Sequence, residues 1–96
     1  MNNNAPMKAS QTVPLEEAVQ QVRSRADLAT FIGALLADLR ERPDEWENRE
    51  LNDFLEALKA WILDMDGYYQ SIGQKMPEQP GWKIIGQMLL AARIYE

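Results

Sequence analysis

Asp64, Asp66 and Gly67, within the run Trp61 to Tyr69 that reads WILDMDGYY, are the residues whose types and spacing come nearest to a chemical site. Two aspartates at i and i+2 followed by glycine are how a calcium loop can begin. Such a loop needs oxygens at positions 1, 3 and 5, glycine at 6 and a bidentate glutamate at 12. With Asp64 at position 1, Tyr68 and Tyr69 occupy positions 5 and 6; with Gly67 at position 6, Ile62 falls at 1 and Gly73 at 12. Neither register supplies the ligands. The apolar period also runs through the segment unbroken, and in a helix residues two apart point about 200° from one another. Asp64 and Asp66 are therefore expected on different sides of one helix, with no metal or other cofactor between them.

Other chemistry is limited by what the chain lacks. It contains neither cysteine nor histidine, which removes disulfides, thiolate ligands, the commonest transition-metal ligand and the usual general base near neutral pH. Carboxylates remain. A pair acting on a sugar or a divalent ion could combine Asp64 with Glu50 or Asp53, but fourteen helical residues separate Asp64 from Glu50, roughly 21 Å against the roughly 5–9.5 Å of a glycosidase pair. Acids on exposed helical stripes also lack the burial that raises a carboxyl pKa. The chain is expected not to be an enzyme.

Charge points instead to binding. The net charge is −5, and the segment Asp38 to Asp66 carries ten acids against four bases, a net −6, so the acidity lies in one third of the protein. Nucleic-acid affinity rests on Lys and Arg releasing counterions, so a basic protein partner is expected and a nucleic acid is not. With Leu58 taken as the centre of the buried face, Glu50, Asp53, Ala57, Trp61, Asp64 and Tyr68 follow one flank of the third helix at spacings of three and four. Carboxylates alternating with large aromatics suit recognition of a basic surface. Trp46, inside DEWEN, is a further candidate anchor. The competing reading is that Trp61 and Tyr68 widen the core edge, that the acids solvate its rim, and that Trp46 packs over the start of the third helix.

These side chains need elements to hold them, and the pattern is helical throughout. Residues 1–14, Asn-rich and closed by Pro14, are expected to form a flexible leader or start-site extension, with one helical domain over 15–96. LEEAVQQV predicts a short helix over 15–22. Ser24 three residues before Asp27 resembles a capping box and opens a helix over 25–41, which Pro43 ends. Asn48 is the expected N-cap of a third helix over 49–71, which Gly73 closes, and a fourth runs over 80–95. The expected fold is an all-α compact bundle of four helices, with a core of Leu28, Phe31, Ile32, Leu35, Leu39, Leu51, Phe54, Leu55, Leu58, Ile62, Met65, Ile85 and Leu89.

The last helix carries two apolar stripes: Trp82, Ile85, Leu89 and Ala92, and beside them Ile84, Met88, Ala91 and Tyr95. It is expected to pack centrally, with the first stripe buried. The second stripe would then face outward and form a homodimer. No run approaches the roughly 18 apolar residues of a membrane span, and a cytoplasmic location is expected.

WEN at 46–48, LEALKAWILDMDGYY at 55–69, Pro77, Pro80, Trp82 and the ending AARIYE together resemble a small bacterial family of unknown function, short acidic helical proteins. The resemblance spans Leu15 to Glu96 and implies a single-domain protein without assigning an activity. The residues themselves support a non-catalytic binding module, of the inhibitor or immunity type that masks a basic partner. A structural role through homodimerisation is the alternative, and a carboxylate enzyme or divalent-metal binder the more distant one.

Overall fold

A computed structural model describes residues 13–96, all of whose regular elements are helical. Of the expected leader only Val13 and Pro14 are described; both are exposed, and the remainder lies outside the described residues.

Helix α1 (Leu15–Ala18) passes directly into a 3-10 turn over Val19–Gln21. Helix α2 spans Arg25–Glu41, and its start is capped as the sequence suggests: the Asp27 amide donates to Ser24 Oγ at 3.0 Å, while Asp27 Oδ2 accepts from the Arg23 amide at 3.0 Å. After Arg42 a 3-10 turn covers Pro43–Glu45, and α3 runs Leu51–Ser71. Gly73 ends it at φ 73°, where a side chain would be strained, and the Gln74 amide donates back to the Tyr69 carbonyl. Helix α4 (Trp82–Ala92) is three residues shorter at its C-terminal end than its apolar pattern suggests.

The C-terminal helix is central. Helix α4 packs against α3 on one side, α2 on the other and the Val19–Gln21 turn, whereas α2 and α3 hardly touch. Gly86 makes the closest approach: a Cβ there would lie 3.1 Å from Val19 Cγ2 and 3.6 Å from the Phe31 ring, so a residue without a side chain lets α2 and the turn settle onto α4. The α2 residues Leu28 and Phe31 lie at Gly86 and Asp38 lies at Arg93, so α2 runs parallel to α4; α3 runs antiparallel.

This arrangement alters the expected core. Val19, Val22, Phe31, Leu35 and Trp46 form the buried cluster, with Leu15, Leu28, Leu39, Phe54, Leu89 and Leu90 against it. Ile32, Leu51, Leu55 and Ile62, expected inside, are exposed. Because α4 is its main helical neighbour, the buried face of α3 centres between Trp61 and Met65, about 40° from Leu58, which is itself half-buried. The two stripes of α4 are also partly exchanged. Ile84 and Ala91 face α3 within the chain, and Tyr95 packs on Trp61, so the stripe expected to face outward is half-buried. Trp82 of the other stripe is exposed instead.

Candidate functional site

The rotation of α3 changes the setting of the acidic, aromatic flank. Trp61 is half-buried rather than peripheral, and Tyr68 is 45% exposed at the next step along the same face. Their rings lie 5.3 Å apart, Tyr69 stands edge-on to Tyr68 at 5.3 Å, and Tyr95 meets Trp61 edge-on at 5.2 Å. Edge and offset contacts of this kind match the aromatic quadrupoles and hold the rings in place. Beside them, between α1, α3 and α4, opens a cleft of about 250 Å3. Trp61, Met65, Tyr68, Ile84 and Ala91 give it apolar walls, and Glu16 and Arg93 are its charged members.

The carboxylates of the flank lie outside the lining of this cleft, whose acid is Glu16. Asp53 and Asp64 occupy the edge of α3 turned toward α1, and both are exposed, as is Glu50 at the N-cap position. Asp64 has a defined partner, since it accepts a hydrogen bond from the Tyr95 hydroxyl. That bond, then the loss of solvent and the Asp64 charge, raise the Tyr95 pKa above its ordinary value. Burial, with Tyr68 adding to it, raises that of Tyr69. Asp66 lies on another side of the helix, its Oδ1 accepting from the Gly67 amide at 2.9 Å. The two aspartates of the DMDG run are thus engaged separately, and among the described residues no group of three potential metal ligands converges.

Trp46 does not belong to this surface. It is 7% exposed, stacked on Phe54 at 6.1 Å, with the Arg93 guanidinium 5.8 Å from its ring centre. Its indole N–H donates to Asp38 Oδ2 at 2.7 Å. Asp38 also pairs with Arg42 at 3.3 Å and lies 3.9 Å from Arg93, which reaches Glu16 at 3.4 Å. An aspartate on α2 and an arginine beyond α4 therefore enclose the tryptophan of the intervening loop. Its stacking on Phe54, in the first turn of α3, matches the competing reading that Trp46 packs over the start of the third helix; for Asp38 as its acceptor the one available hint was an indole N–H that needs an acceptor if buried.

Asn48 also differs from its expected role. Helix α3 begins after it, with Glu50 at the N-cap position and no side-chain cap. The Asn48 amide group instead donates to the carbonyls of Ala92 at 3.1 Å and Tyr95 at 2.9 Å, and its backbone N–H donates to that of Arg93 at 2.8 Å. The Ala92 and Arg93 carbonyls are at the helix C-terminus, where such groups are left unsatisfied, and Tyr95 follows just beyond it. Asn48 thus ends α4 and holds the chain end against α3, placing Tyr95 at Trp61 and Asp64.

Of the predicted residues, the structure brings together Trp61, Asp64 and Tyr68, sets Asp53 along the same edge and Glu50 at its N-terminal end, and removes Trp46 to the core. Searches of curated proteins and of solved structures find no match to the chain. A family model described as a family of unknown function (DUF7660) matches residues 24–96, the span from the Ser24 cap through α2, α3 and α4, and the chain belongs to that family.

Proposed function

We propose that the protein is a non-catalytic binding module that holds a basic protein partner at the cleft between α1, α3 and α4. The observation that carries this reading is the exposed Tyr68 beside half-buried Trp61 at the mouth of an apolar cleft, with exposed Asp64 next to them on α3 and Asp53 about three turns further along the same edge. The cleft offers apolar area for one or two partner side chains, and the carboxylates offer charge to basic residues around them. Fixed aromatics with a polar rim are the usual composition of a binding hot spot. Masking of a basic protein by an acidic one fits the concentration of net charge between Asp38 and Asp66.

The test is capture of partners from the native cell at low salt by the wild-type chain, Asp53→Lys and Tyr68→Ala. Both changed side chains are exposed, so folding should persist, as circular dichroism can check. A basic protein released by salt, and lost with both variants, is the expected result. Equal retention by the three proteins would refute the assignment of this surface.

A further inference from the structure

We propose that the cleft between α1, α3 and α4 takes one aromatic side chain of the partner, carried on a segment with basic residues beside it. The inference rests on the reading of this cleft as the partner site and names the residue that enters it. Glu16 and Arg93, the charged members of the lining, pair with each other at 3.4 Å. A charged group brought inside would have to compete with that pair, whereas an uncharged side chain would not. Size fits a ring: the cleft of about 250 Å3 exceeds the roughly 150 Å3 of an apolar cavity that admits benzene.

The α3 wall favours an aromatic group over an aliphatic one. Trp61, Tyr68 and Tyr69 form a continuous run of rings, each 5.3 Å from the next. Rings already held by tilted and edge-on contacts offer their quadrupoles to a further ring, a gain that an aliphatic side chain cannot use. Met65, in the same wall, adds a thioether that is favourable beside an aromatic edge. The chain itself shows this preference outside the cleft. Tyr95, which is not a lining residue, stands edge-on to Trp61 at 5.2 Å and donates its hydroxyl to Asp64. An aromatic ring against Trp61 with a carboxylate beside it is thus an arrangement this surface already holds once.

Charge sets the neighbours of the anchor. Asp64 is exposed next to Trp61 and Tyr68, and the Glu16 side chain is 70% exposed at the same end of the cleft. Exposed Lys83, which reaches Gln20 at 3.4 Å, lies at the opposite end beside Ile84. Basic residues flanking the anchor therefore belong at the Glu16 and Asp64 end.

The experiment needs no native partner. The 15N-labelled full chain is titrated with the N-acetyl amides of phenylalanine, leucine and arginine, and the three tryptophan indole N–H resonances are followed. The phenylalanine amide should shift the Trp61 resonance, with a dissociation constant on the order of 1 mM, as for other fragment-sized ligands. Those of Trp46 and Trp82, which lie outside the cleft, should stay in place. The leucine amide should bind at least about threefold more weakly, and the arginine amide more weakly still. Tyr68→Leu keeps apolar area at a 45% exposed position, so folding should persist by circular dichroism. It should weaken the phenylalanine amide by roughly three- to tenfold and leave the leucine amide nearly unchanged. At low ionic strength acetyl-Lys-Phe-Lys amide should bind about threefold or more tighter than acetyl-Glu-Phe-Glu amide. No shift of Trp61 by the phenylalanine amide would overturn the proposal. So would leucine or arginine amides that bind as tightly, equal weakening of both apolar amides by Tyr68→Leu, or indifference to the flanking charges. If the phenylalanine amide fails while capture of a basic protein stays sensitive to Asp53→Lys, the anchor is refuted and the partner site stands; if it binds while capture fails, the reverse holds.

Discussion

Asp38 should be worth more to stability than any other exposed-looking charge in the sequence, and Asp38→Ala measures this. Its side chain is 11% exposed, and that of its neighbour Arg93 10%. The substitution removes the acceptor of the Trp46 indole N–H, a bond to a charged group worth about 1.5–3 kcal/mol. It also leaves Arg93 with Glu16 as its one carboxylate partner, at 3.4 Å and mostly solvated, beside a hydrogen bond to the Leu90 carbonyl, and breaking a buried charge pair by removing one partner costs about 3–5 kcal/mol. The terms overlap, because the same carboxylate serves both groups and Arg93 keeps one partner. About 3 kcal/mol is the expected loss, or roughly 12–24 °C in Tm for a domain of this size. Urea unfolding followed by tryptophan fluorescence and by circular dichroism would measure it. Asp38→Asn, which retains an acceptor for Trp46, should lose less. Asp38→Ala combined with Arg93→Met should lose less than the two single changes together, since no charge is then left buried alone. A loss under about 1 kcal/mol, or strict additivity in the double variant, would refute the view that these residues act as one unit.

Gly67 and Gly86 should respond oppositely to added side chains. Gly67 lies inside α3, one turn before its C-terminal end, with open space where a Cβ would stand, so Gly67→Ala should raise stability by about 0.5–1 kcal/mol, whereas Gly86→Val should lower it by about 1–3 kcal/mol through overpacking against Val19 and Phe31. Thermal melts would separate them, and destabilisation by Gly67→Ala would contradict the placement. Tyr95 and Tyr69 should both ionise later than a free tyrosine, the first because of Asp64 and the second because of burial. A folded-state pKa raised above the unfolded value gives stability that is present below about pH 10 and lost as pH rises through the folded value. Asp64→Asn should bring only Tyr95 back toward normal. Tyrosinate absorbance during an alkaline titration would show this, and a curve unchanged by Asp64→Asn would speak against the bond.

Local rules carried α2 completely: a Ser24 cap, an unbroken apolar period and a proline two residues past the end leave one solution, and the structure matches it residue for residue. The helical class and the Gly73 stop were legible for the same reason, since each depends on neighbours within one or two turns, and the central α4 was legible because its two apolar stripes need cover on two sides. What sequence pattern could not supply was which face of α3 is inside. Its apolar residues extend around more than half the helix, and the choice between Leu58 and the Trp61–Met65 edge as centre depends on which helices touch it. With α2 held away on the far side of α4, α4 is the main neighbour, so Leu51, Leu55 and Ile62 are left outside while Trp61 is drawn in. Asn48 and Asp38 were undecidable for a related reason. Their short polar side chains satisfy groups more than forty residues away for Asn48 and, for Asp38, groups on a loop and a chain end that only folding brings near. The sequence by itself determined the helices and the sign of the surface, because both follow from local chemistry; tertiary packing alone decided which aromatics line the cleft, which apolar stripe stays exposed and which acid is buried, because these depend on which helices are left without a neighbour.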